Sequence, residues 1–192
     1  MSGPVASTKD YLARIARVRE EMVRKDVDAV LLSVGHDLPY LTGYHAMPLE
    51  RLTMLVVRRD GVSTMIVPRL EVPRVVEQPG VFSIVPWNET DNPVALVAER
   101  LDGARTIAVG DQMWARFLVE LLPLVPGARF VRAVDVVGGL RMAKDGAEIA
   151  ALAAAGAAAG GPLQQEAVAA LERAADAQRA LDSAQAHADA LR

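Results

Sequence analysis

Apolar residues at Tyr11, Leu12, Ile15, Val18 and Met22 recur at helical spacing. That spacing predicts an amphipathic helix running to about Lys25, capped by Thr8 or Asp10. The pattern then changes. "DAVLLSV" is a short apolar run rich in β-branched residues, which predicts a buried strand ending near Ser33. "LTMLVVRRDGVSTMIVP" holds two strand-like runs around Arg59-Asp60-Gly61. Asp-Gly between apolar runs predicts a hairpin. "RLEVPRVVEQ" reads as a short helix or irregular, and "VFSIVPW" as a strand. A helix over 93–101 follows from Asn92 as cap and Pro93 at the first helical position. "TIAVG" and "ARFVRA" read as strands, and "AVDVVGGLRMAK" as a short helix. "DQMWARFLVELLP" reads as an amphipathic helix capped by Asp111, with Trp114 in the core. Strands alternating with helices, plus one hairpin, predict an α/β sandwich on a mixed sheet.

From Asp145 the chain becomes rich in alanine, with Gly160-Gly161-Pro162 breaking one helix from the next. Alanine favours helix but offers little area to bury. Two segments are therefore expected: a domain over 1–142 and a helical linker and tail over 143–192.

Composition narrows the function. About half of the 192 residues are apolar and the net charge is −3, so general affinity for nucleic acid is not expected. The absence of cysteine rules out disulfides and cysteine-based metal sites. No apolar run reaches the ~20 residues of a membrane span, and the N-terminal stretch lacks a signal-peptide core. A cytoplasmic protein with no membrane contact is the expectation.

The densest candidate chemistry lies in "GHDLPYLTGYHAMPLE". His36, Asp37, His45 and Glu50 are all residue types that bind metals. The two histidines are nine apart, which fits neither a helical HExxH pair nor alternation along a strand. Spacing favours ordinary loop residues. Asp37 reads either as a turn aspartate or as a carboxylate at a pocket rim, since α/β sheets bind ligands at the C-terminal ends of strands. Gly43 is expected to supply a special backbone angle, and Tyr40 and Tyr44 read as core or rim. Trp87 reads equally as an edge residue covering the core or as an aromatic wall for a ligand or partner subunit. Glu50-Arg51 reads as a surface pair. The chain has no GxSxG, Walker A or GxGxxG motif, so motifs alone name no reaction.

Four pieces, in order, resemble the N-terminal domain of the creatinase/prolidase/aminopeptidase P family: "HDLPYLTGY", "ERLTMLVVRRDGVSTMIVPRLE", "IAVGDQMW" and "VVGGLRMAKDGAEIAALAAAG". The last is the most specific, with Leu-Arg, Lys and Glu-Ile at the spacing of the family's linker helix. The resemblance is strongest to actinobacterial-style Xaa-Pro dipeptidases. It implies an α/β domain of ribonuclease H-like layout that holds no metal. In the family, two divalent ions (manganese or cobalt) sit in a separate pita-bread catalytic domain. The chain as given does not continue into that pattern, so no cofactor, metal ligand or catalytic residue is carried over, and a chain inactive alone is expected. The implied role is dimerisation and substrate gating in trans, through Asp37, Tyr40 and Trp87. Half of a split Xaa-Pro peptidase and a non-enzymatic peptide- or protein-binding module remain as alternatives. The expected partners are a second copy or a pita-bread catalytic chain, with a peptide as ligand.

Overall fold

The computed structural model describes residues 6–144, 146, 148–158, 160, 169, 173 and 176. The chain divides into two units, Val5–Lys144 and a second that begins at Asp145 and takes in Met1–Pro4.

In the first unit, helix α1 (Thr8–Arg24) leads into strand β1 (Ala29–Leu32) and a six-residue helix α2 (Asp37–Thr42). The hairpin β2 (Met54–Arg58) and β3 (Ser63–Pro68) follows, then β4 (Phe82–Trp87) and α3 (Pro93–Glu99). β5 (Thr106–Val109), α4 (Ala115–Leu121) and β6 (Arg129–Arg132) complete the sheet. A wide helical turn over Val134–Gly138 runs into α5 (Gly139–Met142). The strand order is β4-β3-β2-β1-β5-β6. β2 runs antiparallel to β1 and β3, while β1–β5, β5–β6 and β3–β4 are parallel. The hairpin therefore makes the sheet mixed, as its Asp-Gly turn predicts.

Alternation along each strand separates two cores. Val30 and Leu32 of β1 point to one face and pack with Ile15, Val18 and Met22 of α1. Ala29 and Leu31 point to the other and pack with Val94 and Val97 of α3 and Phe117 of α4. Each fully buried aliphatic side chain stabilises the fold by about 1.5–3 kcal/mol relative to exposure. The sheet is thus covered on both sides, which is the sandwich expected.

Local chemistry moves several boundaries. Ser7, rather than Thr8 or Asp10, caps α1. Its hydroxyl accepts from the Asp10 amide at 3.4 Å while the Asp10 carboxylate accepts from the Ser7 amide at 2.8 Å. This is the reciprocal capping box. Asn92 caps α3 as expected, accepting from the amides of Val94 and Ala95 at 3.1 Å. Asp111 does not cap α4, which begins after Trp114. Its carboxylate instead takes both ends of the Arg132 guanidinium, at 3.2 and 2.5 Å. Trp114, expected in the core, is over a third exposed and stacks on Phe117.

Below the sheet, Asp28 joins two strands. Its Oδ2 accepts from the amides of Arg105 and Thr106, each at 2.9 Å, at the entry to β5. Arg59 lies 3.1 Å from its Oδ1. The Thr106 amide, with that of Arg105 and the Arg59 and Arg58 charges, holds the Asp28 carboxyl below its ordinary range against an opposing desolvation.

In the second unit the described residues 146, 148–158 and 160 are helical, and Ile149 and Leu152 are exposed on that helix. Of the expected break at Gly160-Gly161-Pro162, Gly160 is still helical, and Gly161 and Pro162 lie outside the described residues. So does most of the expected second tail helix; of it, residues 169, 173 and 176 are described, and they are helical. Among the described residues, no helix is long and apolar enough to cross a membrane.

Candidate functional site

All the strands other than β2 end at one rim of the sheet, and β2 begins there. Asp37 lies on this rim, five residues after β1. The stretch around it is not a plain loop: residues 37–42 form α2 despite Pro39. Proline is tolerated there because the first turn of a helix has amides without intrahelical acceptors. The C-terminal end of α2 is tied down by three bonds. Thr42 Oγ1 donates to the Leu38 carbonyl at 2.7 Å, the Gly43 amide to Pro39 at 2.8 Å, and Arg14 Nη1 to Tyr40 at 2.9 Å. Gly43 takes the left-handed angle expected of it, with φ 73°. A Cβ there would also lie 2.5 Å from the Tyr11 hydroxyl.

Behind Asp37 is a cavity of about 140 Å³, lined among others by Gly35, His36, Gly110, Gln112 and Arg141. Gly35 has φ 119°, and a Cβ on it would meet the Gln112 side-chain oxygen. Only glycine lets that side chain cross the strand end. Arg141 of α5 brings its Nε to 3.0 Å from Asp37 Oδ1. Both atoms are shielded from water, and their approach is off the line of a hydrogen bond. The contact is an ion pair held by charge. The Asp37 side chain is 21% exposed and that of Arg141 42%, so the pair is accessible at its outer edge.

The other expected residues fall elsewhere. Tyr40 is buried, and its hydroxyl donates to the Leu140 carbonyl at 3.2 Å. Trp87 is 6% exposed in the second core, with its indole N–H donating to the Leu52 carbonyl at 2.9 Å. His36, His45 and Glu50 are exposed. Among the described residues, no three histidine or acidic side chains come together as a metal would require. Arg51 does not pair with its neighbour Glu50; it binds Glu89 at 2.7 Å. Tyr44 is buried, and burial together with the adjacent Glu71 carboxylate pushes its hydroxyl up to about 12. The sequence marks Arg141 only as part of the Leu-Arg of the family resemblance, with no site role, and does not mark Arg14, because neither lies in the patterned stretch around Asp37.

A larger open groove of about 1030 Å³ lies at the opposite end of the sheet, between α3 and the segment before β6. It brings together no interacting pair of the kind found at Asp37. The small rim cavity is the better candidate, because it combines a strand's C-terminal end with a shielded charged pair.

A mixed six-stranded sheet covered by helices on both faces, with a charged pair on the rim beyond β1, defines an α/β sandwich domain. The chain belongs to the creatinase/prolidase N-terminal domain family, whose profile matches residues 14–143. It is 35% identical over 154 residues to a probable dipeptidase PepE of Mycobacterium tuberculosis, covering 77% of this chain and 40% of that protein. In structure it is similar to dipeptidase PepE from Mycobacterium ulcerans, with a TM-score of 0.72 and 38% identity over 80% of this chain and 42% of that one. A prolidase from Thermococcus sibiricus gives 0.66 at 26% identity, over 73% and 39% of the two chains. The chain thus spans about two fifths of the length of these three relatives. The fold expected from the resemblance is the fold observed.

Proposed function

We propose that this chain acts as the non-catalytic N-terminal domain of an Xaa-Pro dipeptidase-type enzyme, forming a dimer and narrowing access to a partner subunit's active site. The observation that carries this reading is the Asp37 carboxylate, half-shielded on the strand-end rim and fixed by Arg141. A carboxylate there attracts the α-ammonium of a short peptide, and a rim position lets it do so across an interface. Tyr40 and Trp87 serve from beneath: Tyr40 sets α2, and Trp87 anchors Leu52 just ahead of β2. The two divalent ions of this chemistry belong, in this reading, to the catalytic domain and not to these residues.

The test uses this chain mixed with a separately produced catalytic domain from the mycobacterial dipeptidase, manganese and Xaa-Pro dipeptides. Sedimentation should show self-association or a complex. The chain should lower KM for the dipeptide, and Asp37→Asn should undo most of that, by roughly tenfold for one lost charge-assisted contact. A chain that stays monomeric, joins no complex and leaves KM unchanged would sink the proposal.

A further inference from the structure

Arg14 is a cation in the first core. Its residue exposure is 7%, on the α1 face that packs on the sheet. Burying a guanidinium costs several kcal/mol unless its surroundings compensate. Here they do. Its Nη1 donates to the Tyr40 carbonyl at 2.9 Å. Its guanidinium carbon stands 4.4 Å from the Tyr40 ring centroid and 5.8 Å from that of Tyr11. Two aromatic faces and a carbonyl suit a planar cation, and a leucine or methionine would supply none of these contacts.

The residue it grips is a branch point. Tyr40 donates its hydroxyl to the Leu140 carbonyl. One turn earlier on α2, Asp37 pairs with Arg141, the neighbour of Leu140. Two bridges therefore join α2 to α5, and Arg14 holds the α2 side of both. A helix of six residues does not hold itself together in water. Its angle to the sheet depends on what ties it.

We propose that Arg14 is a positioning residue: by clamping Tyr40 it sets α2 against α5, and so sets the Asp37–Arg141 pair at the rim. The inference rests on the proposed function only in giving that pair a task; the positioning itself is a property of this chain alone. Arg14→Met keeps most of the volume and removes the charge and the fork.

The experiment reads the Arg141 Nε–H resonance by nitrogen-15 NMR on the full chain, with no partner or substrate. In the parent chain this resonance should lie away from the free-arginine position and exchange slowly. In Arg14→Met, below its melting temperature, it should move toward the free position and exchange about tenfold faster, as expected for loss of a charge-assisted bond. Tyr40→Phe keeps the ring under Arg14 and removes the hydroxyl that bridges to Leu140, and should give a smaller change, about fivefold. Arg14→Lys should recover part of the parent signal. If Arg14 serves packing alone, Arg14→Met lowers the melting temperature and leaves the Arg141 resonance where it was, which overturns the proposal. If Arg14→Met does not fold, Tyr40→Phe decides: an unchanged Arg141 resonance overturns it. A moved resonance with no effect on any catalytic partner would leave the positioning intact and reject the gating.

Discussion

Asp37, on the first turn of α2, faces Arg141 of α5 across 3.0 Å, with the contacting atoms shielded and the outer parts of both side chains in water. The two residues respond differently to loss of the partner. Arg141 is the more exposed and can swing its guanidinium into solvent. Asp37 is tied to a short helix and cannot.

Arg141→Ala should therefore destabilise the chain by roughly 1–2 kcal/mol, because it leaves a shielded carboxylate oxygen without its counter-charge. Asp37→Ala should cost under about 1 kcal/mol, in the range of exposed pairs. Urea midpoints at constant m-value measure both. Equal costs would contradict the asymmetry.

Asp28 stitches β1 to β5, and its carboxyl is held low by the Thr106 and Arg105 amides. A depressed carboxyl contributes stability that is present above its unfolded value, near 4, and lost as pH falls through the lower folded one. Asp28→Ala should cost roughly 2 kcal/mol at neutral pH, from two bonds to a charged acceptor. The gap between variant and parent should narrow as pH drops below about 4. Thermal melts across pH 2–7 would expose a constant gap, if there is one.

Tyr44 behaves in the opposite sense. Its hydroxyl is raised to about 12 by burial and by Glu71, which accepts from it at 3.3 Å. A raised phenol contributes stability that is fully present below the unfolded value near 10 and lost as pH rises through the folded one. The parent should lose roughly 2 kcal/mol between pH 10 and 12 that Tyr44→Phe does not lose. Parallel alkaline denaturation of the two chains compares the slopes.

Gly43→Ala meets two obstacles: a φ of 73°, and the Tyr11 hydroxyl 2.5 Å from the new Cβ. The backbone alone costs roughly 1–2 kcal/mol, and the overlap with a buried ring adds to it. Tyr11→Phe in the same chain should recover part of the loss, since it removes the nearest atom. No recovery would mean the backbone angle carries the whole cost.

Much of the first unit is legible from periodicity. Of the predicted α1 stripe, Tyr11, Ile15, Val18 and Met22 are buried, while Leu12 is exposed. The run Ala29–Leu32 is a strand buried on both faces, and Asp60-Gly61 turns the hairpin. What pattern could not reach are contacts between residues far apart in sequence. Asp111 has the spacing of a helix cap, but Arg132, across the β5–β6 pair, offers a bidentate partner. α2 is too short and too rich in helix breakers to show a period. It exists because Arg14 and Thr42 satisfy its carbonyls. The candidate site was half visible: Asp37 stands out by its place after a strand, while Arg141 is fixed only once α5 folds back to it.

The β2–β3 turn has a further practical meaning. Asp60, Gly61 and Val62 are exposed, at the end of the sheet away from Asp37. Exposed loop tips are the places where chains accept added sequence. A fluorophore or affinity handle inserted between Asp60 and Gly61 would report on this chain's encounters while leaving the Asp37 rim untouched, which makes the hairpin tip the natural port for labelling.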